Sequence, residues 1–327
     1  MSAMPPLFTP RPRFGDATPP AIFPPILGLF GLGLAWRRAT GVFAVPEGAA
    51  DLLLGAVTLL FLFCLAAYGL KVARRPGVVV EDLRVLPGRA GLSALVLSVY
   101  LLSAALVPIA RPLAEALLWG GLAFHLVLVV LVVRVLVTGP AEQRAVTPVW
   151  HLQFVGFIVA AIAAVPLGHT GLSTAILYGT GFLAMAIWAA SLAQFALRDV
   201  PPPLRPLLAI HLAPACLLGT VALTLGRVGI AWGFAGLAVL ILAGLLIGLR
   251  WLTRAGFSPL WGAFTFPMAA FAGVMLAMAA SGQGEAFRIA GGVALVAATL
   301  AIPPIVFKVM QAWAKGMLGA KTNAAKV

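Results

Sequence analysis

Apolar runs follow one another along the whole chain, separated by brief polar breaks. Runs of the length needed to cross a bilayer as an α-helix, about 20 residues, fall at 21–39, 49–70, 90–110, 113–137, 148–166, 172–197, 206–225, 228–249, 259–280 and 289–312. The pattern predicts an all-α integral membrane protein with ten transmembrane helices. Connections alternate in character: 71–89 is long and charged, 198–205 reads RDVPPPLR and 250–258 carries Arg250 and Arg254, whereas 167–171 (LGHTG) and 226–227 are short. Alternation of this kind predicts five helical hairpins.

The hairpins repeat. Pro87, Pro148, Pro206 and Pro259 mark the entry to spans three, five, seven and nine, at intervals of 61, 58 and 53 residues, which predicts an array of similar units arranged as a ring. Even spans include lipid-like runs such as LVLVVLVV (126–133). Odd spans one, seven and nine carry helix breakers instead: Pro24 and Pro25 with Gly28, Pro214 with Gly219, and Pro267 with Gly273. In hydrocarbon, an interrupted helix is tolerated only against protein or a water-filled cavity, where the freed carbonyls find partners. Five odd helices are therefore expected to line a central pore, with five even helices outside them.

Composition agrees with a lipid environment. The 327 residues are 62% hydrophobic and 9% charged, against roughly 25% charged in a soluble domain. An excess of 22 Lys and Arg over 9 Asp and Glu would suggest a nucleic-acid partner in a soluble chain, but here the basic residues sit at the borders of apolar segments, and no nucleic acid is implied. Of the 22, 17 fall on the side that holds both termini and five on the other. The positive-inside rule then puts both termini in the cytoplasm. The expected organisation is a Pro-rich disordered cytoplasmic tail over 1–20, a ten-helix channel domain over 21–312 and a basic cytoplasmic tail over 313–327.

Enzyme chemistry has little to stand on. His125, His151, His169 and His211 lie on four different segments without metal-ligand spacing, and Cys64 and Cys216 form neither a CxxC nor a disulfide framework. No glycine-rich phosphate loop or Walker lysine is present, so no cofactor and no metal are expected. All nine acidic residues lie in tails, loops or near helix ends. Cation-coupled carriers place carboxylates at membrane depth, whereas a path without them has no fixed negative charge to repel an anion. His211 and Gln153 are the most central polar groups on odd spans. Phe264 and Phe266 in LWGAFTFP are about 200° apart around a helix, so if one faces a pore the other packs away from it. Pro267 follows at once and removes the hydrogen bond to the Ala263 carbonyl.

FPPILGLFGLGLAW (23–36), HLAPACLLGTVAL (211–223) and LWGAFTFPMAAFA (260–272) resemble the tellurite-resistance/dicarboxylate transporter family, which includes bacterial tellurite-resistance protein A and the plant guard-cell slow anion channels. The resemblance implies a homotrimer in a bacterial inner membrane, with a pore in each subunit lined by the five inner helices and plugged by a phenylalanine that corresponds to Phe266. Kinking prolines of the family match Pro24 or Pro25 and Pro214 here, while the equivalent places in spans three and five are Leu97 and Gln153. The implied function is transport of small inorganic anions through a gated, channel-like pore, with tellurite resistance as a further implication. A proton-coupled carrier for C4-dicarboxylates, with His211 or His151 taking the proton, is the alternative.

Overall fold

The computed structural model describes residues 13–327, and its described secondary structure is helical throughout. Thirteen α-helices follow in order: α1 (Phe23–Ala39), α2 (Glu47–Arg74), α3 (Val78–Arg84), α4 (Leu86–Leu106), α5 (Arg111–Thr138), α6 (Phe157–Ala164), α7 (Thr170–Leu197), α8 (Leu212–Thr224), α9 (Val228–Ile247), α10 (Leu249–Leu252), α11 (Gly262–Ala280), α12 (Glu285–Ala314) and α13 (Met317–Lys321). Among the described residues, nine helical segments are long and apolar enough to cross a membrane. The remaining apolar segment, His151–Ala164, is shorter. At 1.5 Å per residue it reaches only roughly 21 Å, less than the hydrocarbon thickness of about 30 Å.

Burial divides the helices into two classes. In the spans that contain α1, α4, α8 and α11, between 61% and 78% of positions are buried, against between 17% and 33% in α2, α5, α7, α9 and α12. The buried class closes on itself: α1 packs on α4, α4 on α6, α6 on α8, α8 on α11, and α11 returns to α1. Each of these five also packs on the helix that follows it, α2, α5, α7, α9 or α12. Apolar side chains on the outward faces, such as Leu126, Val127 and Val130 of α5, remain exposed, as a lipid-facing surface requires. Leu128, in the same lipid-like run, turns inward and is buried.

The breakers act at the entries more than within the helices. Pro24 and Pro25 occupy the first turn of α1, and Pro214 the first turn of α8, where a missing N–H costs no helical hydrogen bond. Of the inner helices, only α11 carries an internal proline, Pro267; the outer α12 carries two, Pro303 and Pro304. Irregularity is concentrated just before the helices, in 3-10 turns at Pro20–Ile22, Pro202–His211 and Pro259–Trp261 and a π-turn at His151–Val155. Span five is thus a π-turn joined to a two-turn α-helix at Gly156. A methyl group there would lie 2.2 Å from the Leu152 carbonyl oxygen and 2.8 Å from Leu97 Cδ2, so only glycine fits the junction.

The described residues at both ends of the chain pack on the bundle. Arg74 Nη1 donates to the Phe14 carbonyl at 2.8 Å and pairs with Asp16, and Thr18 is buried. Beyond α12, α13 buries Leu318, and the Ala325 N–H reaches Asp82 Oδ1 at 2.8 Å. The expectation of disorder for residues 1–12 lies outside the described residues; over 13–20 the chain is packed. The long charged connection 71–89 contains α3 and a fully buried ion pair, with Lys71 Nζ donating to Asp82 Oδ2 at 2.9 Å, to the Thr18 carbonyl at 3.1 Å, and Tyr68 Oη adding a third bond at 3.0 Å.

Candidate anion path

Two cavities lie along the axis of the inner ring. The larger, about 540 Å³ when the open space at its mouth is counted, draws its lining from all five inner entries: Ala21, Pro24 and Leu27; Pro87, Ala90 and Ala94; Leu152; Leu207, Ile210 and Ala213; and Pro259, Leu260, Gly262, Ala263, Phe266 and Pro267. None of these side chains ionises. All five stretches lie in the entry halves of their spans, so the positive ends of the inner helix dipoles are turned toward one apolar vestibule. Anions are the species that such an arrangement favours.

The second cavity, with room for about one water molecule, lies between α4, the π-turn, α6 and α8, and is lined by Leu97, His151, Val155, Gly156, Pro214, Leu217 and others. Phe266 is on the lining of both cavities. Its ring is 5% exposed and lies against α1, where a methyl added at Gly31 would sit 3.0 Å from Cδ2. Leu152, Ile210 and Ala213 border both cavities as well, so four residues stand at the boundary between the two spaces, and Phe266 is the aromatic one among them. Phe264 borders neither cavity and instead stacks edge-on against Trp261, with ring centroids 5.7 Å apart.

The other candidate residues separate by role. Leu97 and Pro214 line the inner cavity and Pro267 the outer one. Pro24, rather than Pro25, reaches the vestibule; Pro25 packs against Gly262, whose added methyl would meet its Cδ at 3.1 Å. Gly28 faces α11: a methyl there would fall 2.3 Å from both Cβ and Oγ1 of Thr265. Gln153 is buried but borders neither cavity, because the π-turn rotates it away; its carbonyl accepts from His125 Nε2 at 3.0 Å, and both polar atoms of its side chain lack a partner among the described residues.

His211 also borders neither cavity. His151 does, and its Nε2 shares a hydrogen bond of 3.0 Å with His211 Nδ1. The four histidines are thus less scattered in space than along the chain. A signal for this pair was present: the two histidines are 60 residues apart, close to the interval at which the entry prolines recur. Among the described residues, no group of three or more His, Cys, Asp or Glu side chains is placed to hold a metal ion.

The comparison with known families bears on what such a path carries. Residues 17–308 match the family model described as voltage-dependent anion channel. The chain belongs to the voltage-dependent anion channel family. All three motifs that resemble the tellurite-resistance/dicarboxylate transporters lie inside the matched interval, and that resemblance holds for nearly the whole chain. The family's function is anion transport across membranes rather than enzymatic catalysis, and the multiple apolar helices make this member a multi-pass membrane protein. No curated protein matches the chain.

Proposed function

We propose that this member of the voltage-dependent anion channel family is a ten-span, five-hairpin channel for small inorganic anions, gated by Phe266. The observation that supports the reading is that Phe266 is the one aromatic residue among the four, with Leu152, Ile210 and Ala213, that border both cavities. An apolar partition blocks an ion twice over, by steric closure and by stripping its hydration, and an unpaired ion in an apolar constriction is very costly. The short segment His151–Ala164 serves as the tenth crossing, with the 146–150 approach making up its length. The charge split between the two sides of the helices puts the vestibule and both termini in the cytoplasm. The bacterial inner membrane and a homotrimer with one pore per subunit follow from the family resemblance, as does a role in tellurite resistance.

Phe266→Ala removes the partition without adding charge. Chloride and nitrate currents in planar bilayers should rise strongly in Phe266→Ala, while Phe264→Ala, which loses only packing against Trp261, should leave conductance at the wild-type level. A silent Phe266→Ala in a normally assembled protein would refute the gate.

One observation favours a second reading, a proton-coupled carrier for C4-dicarboxylates. His151 lines the inner cavity with His211 hydrogen-bonded behind it, so a proton taken up on the pair could be shared between the two rings. Malate flux that follows an imposed pH gradient, and loses that dependence in His151→Gln, would support the carrier over the channel.

A further inference from the structure

Arg89 sits in the first turn of α4, one position before Ala90 of the vestibule lining. It is only 7% exposed, and its Nη1 has no hydrogen-bond partner among the described residues. The neighbouring carboxylates are engaged elsewhere: Glu81 pairs with Arg75, and both oxygens of Asp82 are taken by Lys71, Tyr68 and the Ala325 N–H. Arg205, the other arginine buried to this degree, shows what a satisfied guanidinium looks like. It donates to the Val200 carbonyl at 2.9 Å and to Asp199 at 3.0 Å, and it stacks on Trp251.

The location makes the missing partner more telling. The N-terminus of α4 has no side-chain cap and no acidic residue in its first turn. A helix N-terminus is the positive end of the dipole, where anions are stabilised and cations are not. A largely buried guanidinium at that end, without a counter-charge, combines two unfavourable terms, and one bound anion would relieve both by accepting from the guanidinium and from the Leu86 and Gly88 N–H groups, the two left in this turn once Pro87 supplies none and the Arg89 N–H is bonded to the Val85 carbonyl at 3.0 Å. We propose that Arg89 and the uncapped first turn of α4 hold a small inorganic anion at the flank of the vestibule, and that this site sets the affinity with which anions enter the path. The inference rests on the anion-path reading above and adds the residue that selects for charge.

The test uses the full-length protein in two arms. In the first, Arg89→Gln is combined with Phe266→Ala, and bilayer conductance is measured against chloride and nitrate activity. Loss of one charge-assisted hydrogen bond should raise the half-saturating anion concentration about tenfold or more, with Arg89→Lys recovering most of the difference. In the second, which needs no conduction, the thermal midpoint in detergent is followed as nitrate replaces gluconate. The wild-type midpoint should rise and that of Arg89→Gln should not. If Phe266→Ala passes no current, the channel reading fails while the thermal arm still decides the site. Unchanged half-saturation together with an intact nitrate-dependent rise in Arg89→Gln would overturn the assignment. If Arg89→Gln does not assemble, crystals of the wild type in bromide decide, since an anomalous peak in contact with the guanidinium is required.

Discussion

Gly28→Ala is the smallest perturbation that probes closure of the inner ring. The added methyl would lie 2.3 Å from Thr265 Cβ, 2.3 Å from Thr265 Oγ1 and 2.9 Å from the Thr265 carbonyl carbon, against an optimum of about 3.5–4.0 Å for carbon contacts. Rotating a side chain does not relieve contact with Cβ and backbone, so α1 and α11 must separate. That separation also stretches the 3.2 Å hydrogen bond from Thr265 Oγ1 to the Pro24 carbonyl. Overpacking typically costs about 1–3 kcal/mol, and with three offending atoms of one rigid residue we place Gly28→Ala at the upper end, about 3 kcal/mol. Gly120 on the outward face of α5 is the control, because nothing lies within 4 Å of an added methyl there; Gly120→Ala should be neutral or stabilising by up to about 1 kcal/mol. Thermal unfolding in detergent should show Gly28→Ala lowered by roughly 6–12 °C, at about 2–4 °C per kcal/mol. Thr265→Gly in the same chain removes two of the three clashing atoms and should restore part of the loss. Equal midpoints for Gly28→Ala and Gly120→Ala would refute the close contact between the first and last inner helices.

Asp82→Asn should be more damaging than its isosteric shape suggests, by about 3–5 kcal/mol, because it leaves the fully buried Lys71 ammonium without a carboxylate; adding Lys71→Met should recover much of that loss in the same thermal assay. Loss of the Asp82 contact to the Ala325 N–H should also make the C-terminal residues more susceptible to limited proteolysis, read by mass spectrometry of the fragments. In a background of Cys64→Ala and Cys216→Ala, Ala320→Cys should react with an impermeant thiol reagent only from the cytoplasmic side and Gly171→Cys only from the opposite side. Reaction of both from one side would overturn the topology.

Much of the helix layout was legible because hydrocarbon imposes it. Runs such as 113–137 and 172–197 reappear as α5 and α7 within two residues at each end, since backbone groups in lipid must be satisfied within the helix itself. Span five was not legible in the same way. Its sequence, HLQFVGFIVAAIAA, is as apolar as its neighbours, and nothing local announces the π-turn. The one marker is Gly156, whose significance depends on the Leu152 carbonyl and Leu97 Cδ2 lying against it. His211 and Gln153, the most central polar groups of their spans by sequence, border neither cavity; the 3-10 turn Pro202–His211 and the π-turn His151–Val155 each change the rotation per residue from that of a regular α-helix. No irregular turn separates Phe264 from Phe266 within α11, so the angular argument that the two rings face different ways applies; which of them meets the cavities came from the family resemblance and not from the angle. Arg89 was counted only as a topological charge; its burial and lack of a partner are properties of tertiary packing.

The contact between α1 and α11 also has a temporal side. Thr265 and Pro24, which meet across it, are separated by 241 residues. At synthesis rates of about 5–20 residues per second, the first inner helix waits roughly 10–50 s in the membrane before its final neighbour is made. During that interval the Gly28 and Gly31 surface, shaped to receive Thr265 and the Phe266 ring, faces lipid or a chaperone instead of protein. The Phe266 ring and the last segment of the inner ring arrive on the same helix. A nascent ring that still lacks α11 therefore lacks its closing helix and the Phe266 side chain together, and both are supplied in one step by the order in which the chain is read.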